Sequence, residues 1–153
     1  MKTTMLVTLV VMTAICGACD ILWSVEPSCP NPYEQAVPDA VKEMLACAGP
    51  EYEDYVKENV DTVLMVRGCP CGWKTPAGLC EAVGCAYVKD GCRVIEVRQP
   101  MQLPIGTADT VVHEAAHHAE CAGLPRDANE ACAEAVDEAF WQKALHCQYL
   151  VSH

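Results

Sequence analysis

The chain has 153 residues, 10 Lys and Arg against 21 Asp and Glu, 12 Cys, and only three Trp, five Tyr and one Phe, a length that holds one domain rather than two. A formal charge of -11 with no run of Lys or Arg repels phosphate backbones and excludes nucleic acid as a partner. Twelve cysteines in so short a chain point to an oxidising compartment in which disulfides persist, and away from the cytosol.

Lys2 is the sole charge before Asp20, Met5 to Ile15 is an apolar run, and small residues follow at Gly17 and Ala18, so residues 1–18 read as a secretory signal. The run is too short to span a bilayer. Gly17-Ala18-Cys19 resembles the bacterial lipobox, in which cleavage leaves an N-terminal cysteine that carries lipid. Cys19 is therefore the expected lipidation site, and the protein is expected in the cell envelope, anchored to a membrane by that lipid, with plain secretion as the alternative. The count agrees: with Cys19 acylated, ten cysteines remain from Cys29 to Cys147, an even number that can all pair. Cys69 and Cys71 flank one proline and are expected to bond to different partners. Residues 19–28 form a proline-containing tether, and the folded domain is placed at 29–153.

From Tyr33 to Ala48 the apolar set Ala36, Val37, Ala40, Val41, Met44, Leu45 and Ala48 recurs at three and four, which predicts one amphipathic helix ended by Gly49-Pro50. A second helix is predicted over Glu51 to Asn59. Thr62 to Val66, Ala86 to Lys89 and Arg93 to Val97 read as strands, the last two joined by a tight turn at Asp90-Gly91. Gly68 to Gly84 holds four cysteines and little periodicity, and reads as a stapled loop. Thr107 is a candidate N-cap for a helix that ends near Gly123 and Pro125, and a final helix is predicted from about Arg126 to Gln148. Helices on both sides of a small three-stranded sheet make an α+β domain whose last two helices form a hairpin.

The chemistry sits in the first helix of that hairpin, which reads His113-Glu114-Ala115-Ala116-His117. Histidines four apart lie ~40° from each other around a helix axis, so both imidazoles can reach one cation. Glu114, one residue along, is placed to act on a water at that cation and is too far round to be a natural ligand. Zinc so held brings its water towards neutral pKa, and a carboxylate beside it can take the proton and later give it to a leaving amine. These residue types at this spacing are those of metal-assisted amide hydrolysis. For the third ligand the hairpin offers two acids: with Gly123 at the turn, His117 lies level with Glu130 and His113 with Glu134, each match good to about one helical turn.

At this point the chain resembles a family. His113-Glu114-Ala115-Ala116-His117 is similar to the zinc-binding signature of the zincin metallopeptidases, and Asn129-Glu130-Ala131-Cys132-Ala133-Glu134 resembles the second signature of their gluzincin branch. The resemblance implies Zn2+ bound by His113, His117 and Glu130, Glu114 as the catalytic base, and Glu134 hydrogen-bonded to His113 from behind the metal shell. It also implies a minimal zincin-like fold in which an edge strand, here Arg93 to Val97, binds an extended peptide or protein substrate above the active-site helix. Glu134 stands where the family usually has Asp, and no lobe is present to supply the usual oxyanion-stabilising Tyr or His. His118, Tyr87, His146 and Tyr149 are the remaining candidates for that role.

The expected function is thus zinc-dependent peptide-bond hydrolysis. The alternatives are a lipoprotein binding module that keeps zinc without turnover, and a disulfide scaffold with no metal. A structural zinc site at Cys69, Cys71, Cys80 and Cys85 is the lesser reading beside disulfides. Glu120 is expected to be a solvated helix-end acid and Asp127 to help open the final helix. Phe140 and Trp141 are expected in the core, and Trp73 is expected to pack on a disulfide.

Overall fold

The computed structural model describes residues 28–99 and 103–147. The expected signal, most of the tether, Cys19, Tyr149 and the C-terminal end lie outside them. The architecture is α+β: α1 Tyr33–Ala36, α2 Asp39–Ala48, α3 Pro50–Asn59, β1 Thr62–Val66, β2 Gly84–Lys89, β3 Cys92–Arg98, α4 Pro104–His118 and α5 Arg126–Ala144, with one 3-10 turn at Pro70–Gly72. Among the described residues no helix is long and apolar enough to cross a membrane.

The predicted helix over Tyr33 to Ala48 is broken. Val37 is extended (φ -84°, ψ 127°) because Pro38 crowds the residue before it out of helical geometry, and Pro38 then precedes the first turn of α2. The periodicity survives the break because both segments pack on the same core: Tyr33, Val37, Val41, Met44 and Leu45 are all buried. Pro50 at the first position of α3 lacks only an N–H that no helical carbonyl would have accepted.

The sheet has the order β1-β3-β2, with β1 parallel and β2 antiparallel to β3. Asp90 and Gly91, both at positive φ (53° and 82°), make the expected tight turn between β2 and β3. Arg93 to Val97 is therefore the central strand and not the edge. Ile95 and Val97 are completely buried, as a strand paired on both sides and covered by helices requires. The edge strand on the cleft side is β2, which begins two residues earlier than predicted.

α4 starts at Pro104, and Thr107 is buried inside it rather than capping it. Its core side is Ile105, Ala108, Val111, Val112 and Ala115, which packs with Val56, Val63 and Phe140, while Ala116 packs with Cys121 and Ala133. Phe140 meets Tyr52 edge to face at 5.1 Å. The ten cysteines form five disulfides: Cys29–Cys92, Cys47–Cys147, Cys69–Cys80, Cys71–Cys85 and Cys121–Cys132. Cys69 and Cys71 do take different partners, and the four loop cysteines are disulfides. Cys121–Cys132 closes the turn between α4 and α5, tying the start of α5 to the end of α4.

Candidate metal centre

Core packing of one side of α4 leaves Asp109, His113 and His117, at successive intervals of four, along the side facing a cleft of about 740 Å³. The cleft is walled by α4, by β2 and the loop before it, and by Asn129, Glu130, Glu134 and Asp137 of α5. The two imidazoles stand nearly perpendicular (80°) with centroids 4.9 Å apart. One Glu130 carboxylate oxygen lies 3.7 Å from His113 Nε2 and 3.9 Å from His117 Nε2. These three residues each offer a donor atom within 4.8 Å of the other two, an arrangement that could hold a metal ion. Tetrahedral ligands at ~2.0–2.1 Å from a metal stand about 3.3 Å apart, so the Glu130 oxygen lies within about half an ångström of ligand spacing from each Nε2.

The far nitrogen of each ring is held. His113 Nδ1–H donates to Asp137 Oδ2 at 2.7 Å, and His117 Nδ1–H donates to Asn129 Oδ1. The Asn129 amide is itself oriented, because its Nδ2–H donates to the Cys121 carbonyl. A proton fixed on each Nδ1 leaves each neutral ring with its Nε2 lone pair free and aimed at the shared point. This corrects one expectation from the resemblance: the acid behind His113 is Asp137. Glu134 is exposed and lines the cleft, while among the described residues the ion-pair contacts of the two imidazoles are with Glu130, Asp137 and Glu114. The physical reason is helical phase. Asp137 is seven residues beyond Glu130, within ~20° of the same line, whereas Glu134 is ~40° to the other side. Asp137 is within reach of sequence reasoning by that rule, whereas Asn129, ~100° round from Glu130, is not.

Glu114 is 6 % exposed, with one oxygen 3.9 Å from His117 Nε2. Burial pushes its carboxyl up to about 7, with the His113 imidazole opposing and the Glu130 charge adding to the shift. Asp109, one turn before His113 on the same stripe, is pushed up to about 6, first by burial and then by Asp137. Gly84, the first residue of β2, lets the edge strand approach this point: a Cβ there would enter the Glu114 carboxyl and lie 2.6 Å from Thr110 Cγ2. Nothing in the sequence alone marks Gly84, because its contact is tertiary.

The other candidates fall outside this constellation or are engaged. His118 Nε2–H donates to the Val94 carbonyl at 3.0 Å and the Tyr87 hydroxyl donates to Glu96 at 2.8 Å, although both residues border the cleft. His146 lies against Cys147 Sγ. Glu120 accepts the Tyr55 hydroxyl at 2.5 Å, and Asp127 is in the first turn of α5. Trp73 is 51 % exposed and borders the cleft rather than being covered.

No family model matches the chain, and neither a curated protein nor a solved structure is significantly similar to it.

Proposed function

We propose that the protein is a zinc-dependent peptide-bond hydrolase, exported and anchored to a membrane through lipid on Cys19, with His113, His117 and Glu130 as the ligands and Glu114 as the general base. One observation carries the reading: two Nε2 atoms and one Glu130 oxygen converge while Asp137 and Asn129 hold the opposite ring nitrogens, with a buried carboxylate alongside. Two imidazoles and one carboxylate suit zinc and leave a coordination position open for chemistry. Zinc bound there supplies Lewis acidity towards a water and towards the substrate carbonyl.

Glu114 takes the proton of the attacking water and returns it to the departing amine, a role suited to a buried carboxyl held beside His117 Nε2. Asp137 and Asn129 keep the two imidazoles from rotating. The substrate lies extended beside β2, whose outer edge offers main-chain hydrogen bonds to a peptide strand. The test is hydrolysis of a broad peptide library by protein purified without chelator: cleavage that a chelator abolishes and zinc restores supports the reading, and no cleavage by protein carrying one zinc overturns it.

A second reading, a zinc-containing binding module without turnover, draws on the engaged state of Tyr87 and His118, whose side chains bond to β3 and its residues. It predicts the same metal stoichiometry, lost in His113→Ala, with no hydrolysis.

A further inference from the structure

Of the seven exposed large apolar side chains among the described residues, Leu103, Leu124 and Leu145 do not border the cleft, and the other four lie at or near one lip of it. Trp73 (51 % exposed), Leu79 (68 %), Val83 (50 %) and Val88 all fall in the stapled loop and in β2. Trp73, Val83 and Val88 border the same cleft as His113 and Glu114, whereas Leu79 is not part of its wall. Val83 is adjacent in sequence to Gly84, the residue that touches Glu114, so this lip begins one residue from the reacting centre.

The lip is rigid. Cys69–Cys80 and Cys71–Cys85 close the loop, and the Cys71 N–H donates to Glu96 of β3. The Trp73 N–H donates to the Pro70 carbonyl at 3.1 Å, its own carbonyl accepts from Glu81 N–H at 3.2 Å, and the Val83 carbonyl accepts from Arg98 N–H at 2.8 Å. A half-exposed indole held on so fixed a backbone loses little freedom when a ligand covers it.

We infer that Trp73 and Val83 form a recognition subsite for a bulky apolar side chain, aromatic or branched aliphatic, next to the bond to be cut in an extended, non-acidic peptide. The inference rests on the hydrolase reading above and names its substrate class. Two features select this occupant. The lip is continuous with the cleft that holds Glu114, and outside the proposed metal centre the cleft lining carries Glu81, Asp109 and Glu134 against one Arg98, a balance that disfavours acidic peptides. An anionic lipid surface would likewise be repelled by a chain of charge -11, and the most exposed apolar residue of the loop, Leu79, stands outside the cleft.

The test has a kinetic and an equilibrium arm, both on the mature chain loaded with zinc. In the first, wild type should favour peptides with Phe or Leu over Ala beside the scissile bond. Trp73→Ala should lower kcat/KM on the apolar peptides by about tenfold or more, with Val83→Ser acting in the same direction and Leu79→Ala leaving it unchanged. In the second, Glu114→Gln protein should bind the Phe peptide better than its Ala counterpart, and adding Trp73→Ala should erase the difference. Apolar-dependent binding without hydrolysis by wild type upholds the subsite and removes the hydrolase reading. Hydrolysis indifferent to the apolar residue and to Trp73→Ala overturns the subsite and leaves the hydrolase standing. Binding to phosphatidylcholine vesicles that Trp73→Ala and Leu79→Ala weaken alike, with no peptide effect, overturns it in favour of a lipid contact.

Discussion

Asp137→Ala should weaken zinc binding more than any substitution of Glu134. The Asp137 carboxylate accepts a charge-assisted hydrogen bond of 2.7 Å from His113 Nδ1–H, and its side chain is only 23 % exposed, so water replaces the contact poorly. Removing it frees the His113 ring to turn its Nε2 away and lowers the basicity of that nitrogen. Losses of this kind are ~10- to 100-fold in metal affinity. Asp137→Asn keeps an acceptor but no charge and should fall between wild type and Asp137→Ala. Glu134→Gln changes an exposed cleft acid and should alter affinity by no more than about threefold, while Glu130→Gln, which removes a ligand charge, should exceed them all. Competition for zinc against a chromophoric chelator at neutral pH reads the four variants on one scale, with thermal midpoints measured on the metal-free proteins as the folding control. If Glu134→Gln proves as damaging as Asp137→Ala, the orientation of His113 by Asp137 is wrong and the resemblance-based register is right.

Gly84→Ala should fold, because β2 can shift, but overpacking against Thr110 and Glu114 should lower stability by about 1–3 kcal/mol. It should also cut peptide hydrolysis about a hundredfold by displacing Glu114, as seen by thermal melts and steady-state kinetics; unchanged activity would refute the close approach of β2. Asp61 accepts from the Arg93 backbone and guanidinium, which holds its carboxyl below the ordinary range. Its stabilisation is therefore present above the unfolded value near ~3.9 and lost as pH falls through the lowered folded value. Both side chains are about a third exposed, so Asp61→Asn should reduce stability at pH 7 by only about 1 kcal/mol, with the gap to wild type closing in strong acid. A gap that widens on acidification would contradict the sign.

The α+β class and the strand positions were legible because they rest on local pattern: short runs rich in Val and other strand-forming residues at Thr62 to Val66 and Arg93 to Val97, and a two-residue turn that demands positive φ at Asp90 and Gly91. The shared reach of His113 and His117 was legible for a related reason, since one helical spacing sets it, whereas the hairpin count left Glu130 and Glu134 both open and only the resemblance favoured Glu130, whose carboxylate is the one grouped with the two imidazoles. What escaped was set by tertiary phase. Strand order depends on which faces the helices cover, so the central place of Arg93 to Val97 had no local signal. The partner of His113 depends on the rotation of α5 about its own axis, which the count from Gly123 leaves open by a turn. The break at Val37 differs in kind, because its signal is local: Pro38 excludes the residue before it from helical geometry, and this outweighs the apolar periodicity that runs through it.

The most direct test of the account is the hydrolysis rate of zinc-loaded Glu114→Gln beside zinc-loaded wild type on a cleaved peptide, with metal content measured on the same samples. Because Glu114 is assigned to the water and not to the metal, the variant should retain one equivalent of zinc while its rate falls by at least about a hundredfold, within the ~10² to 10⁴ typical of a general base. Equal rates at equal zinc content would contradict the account.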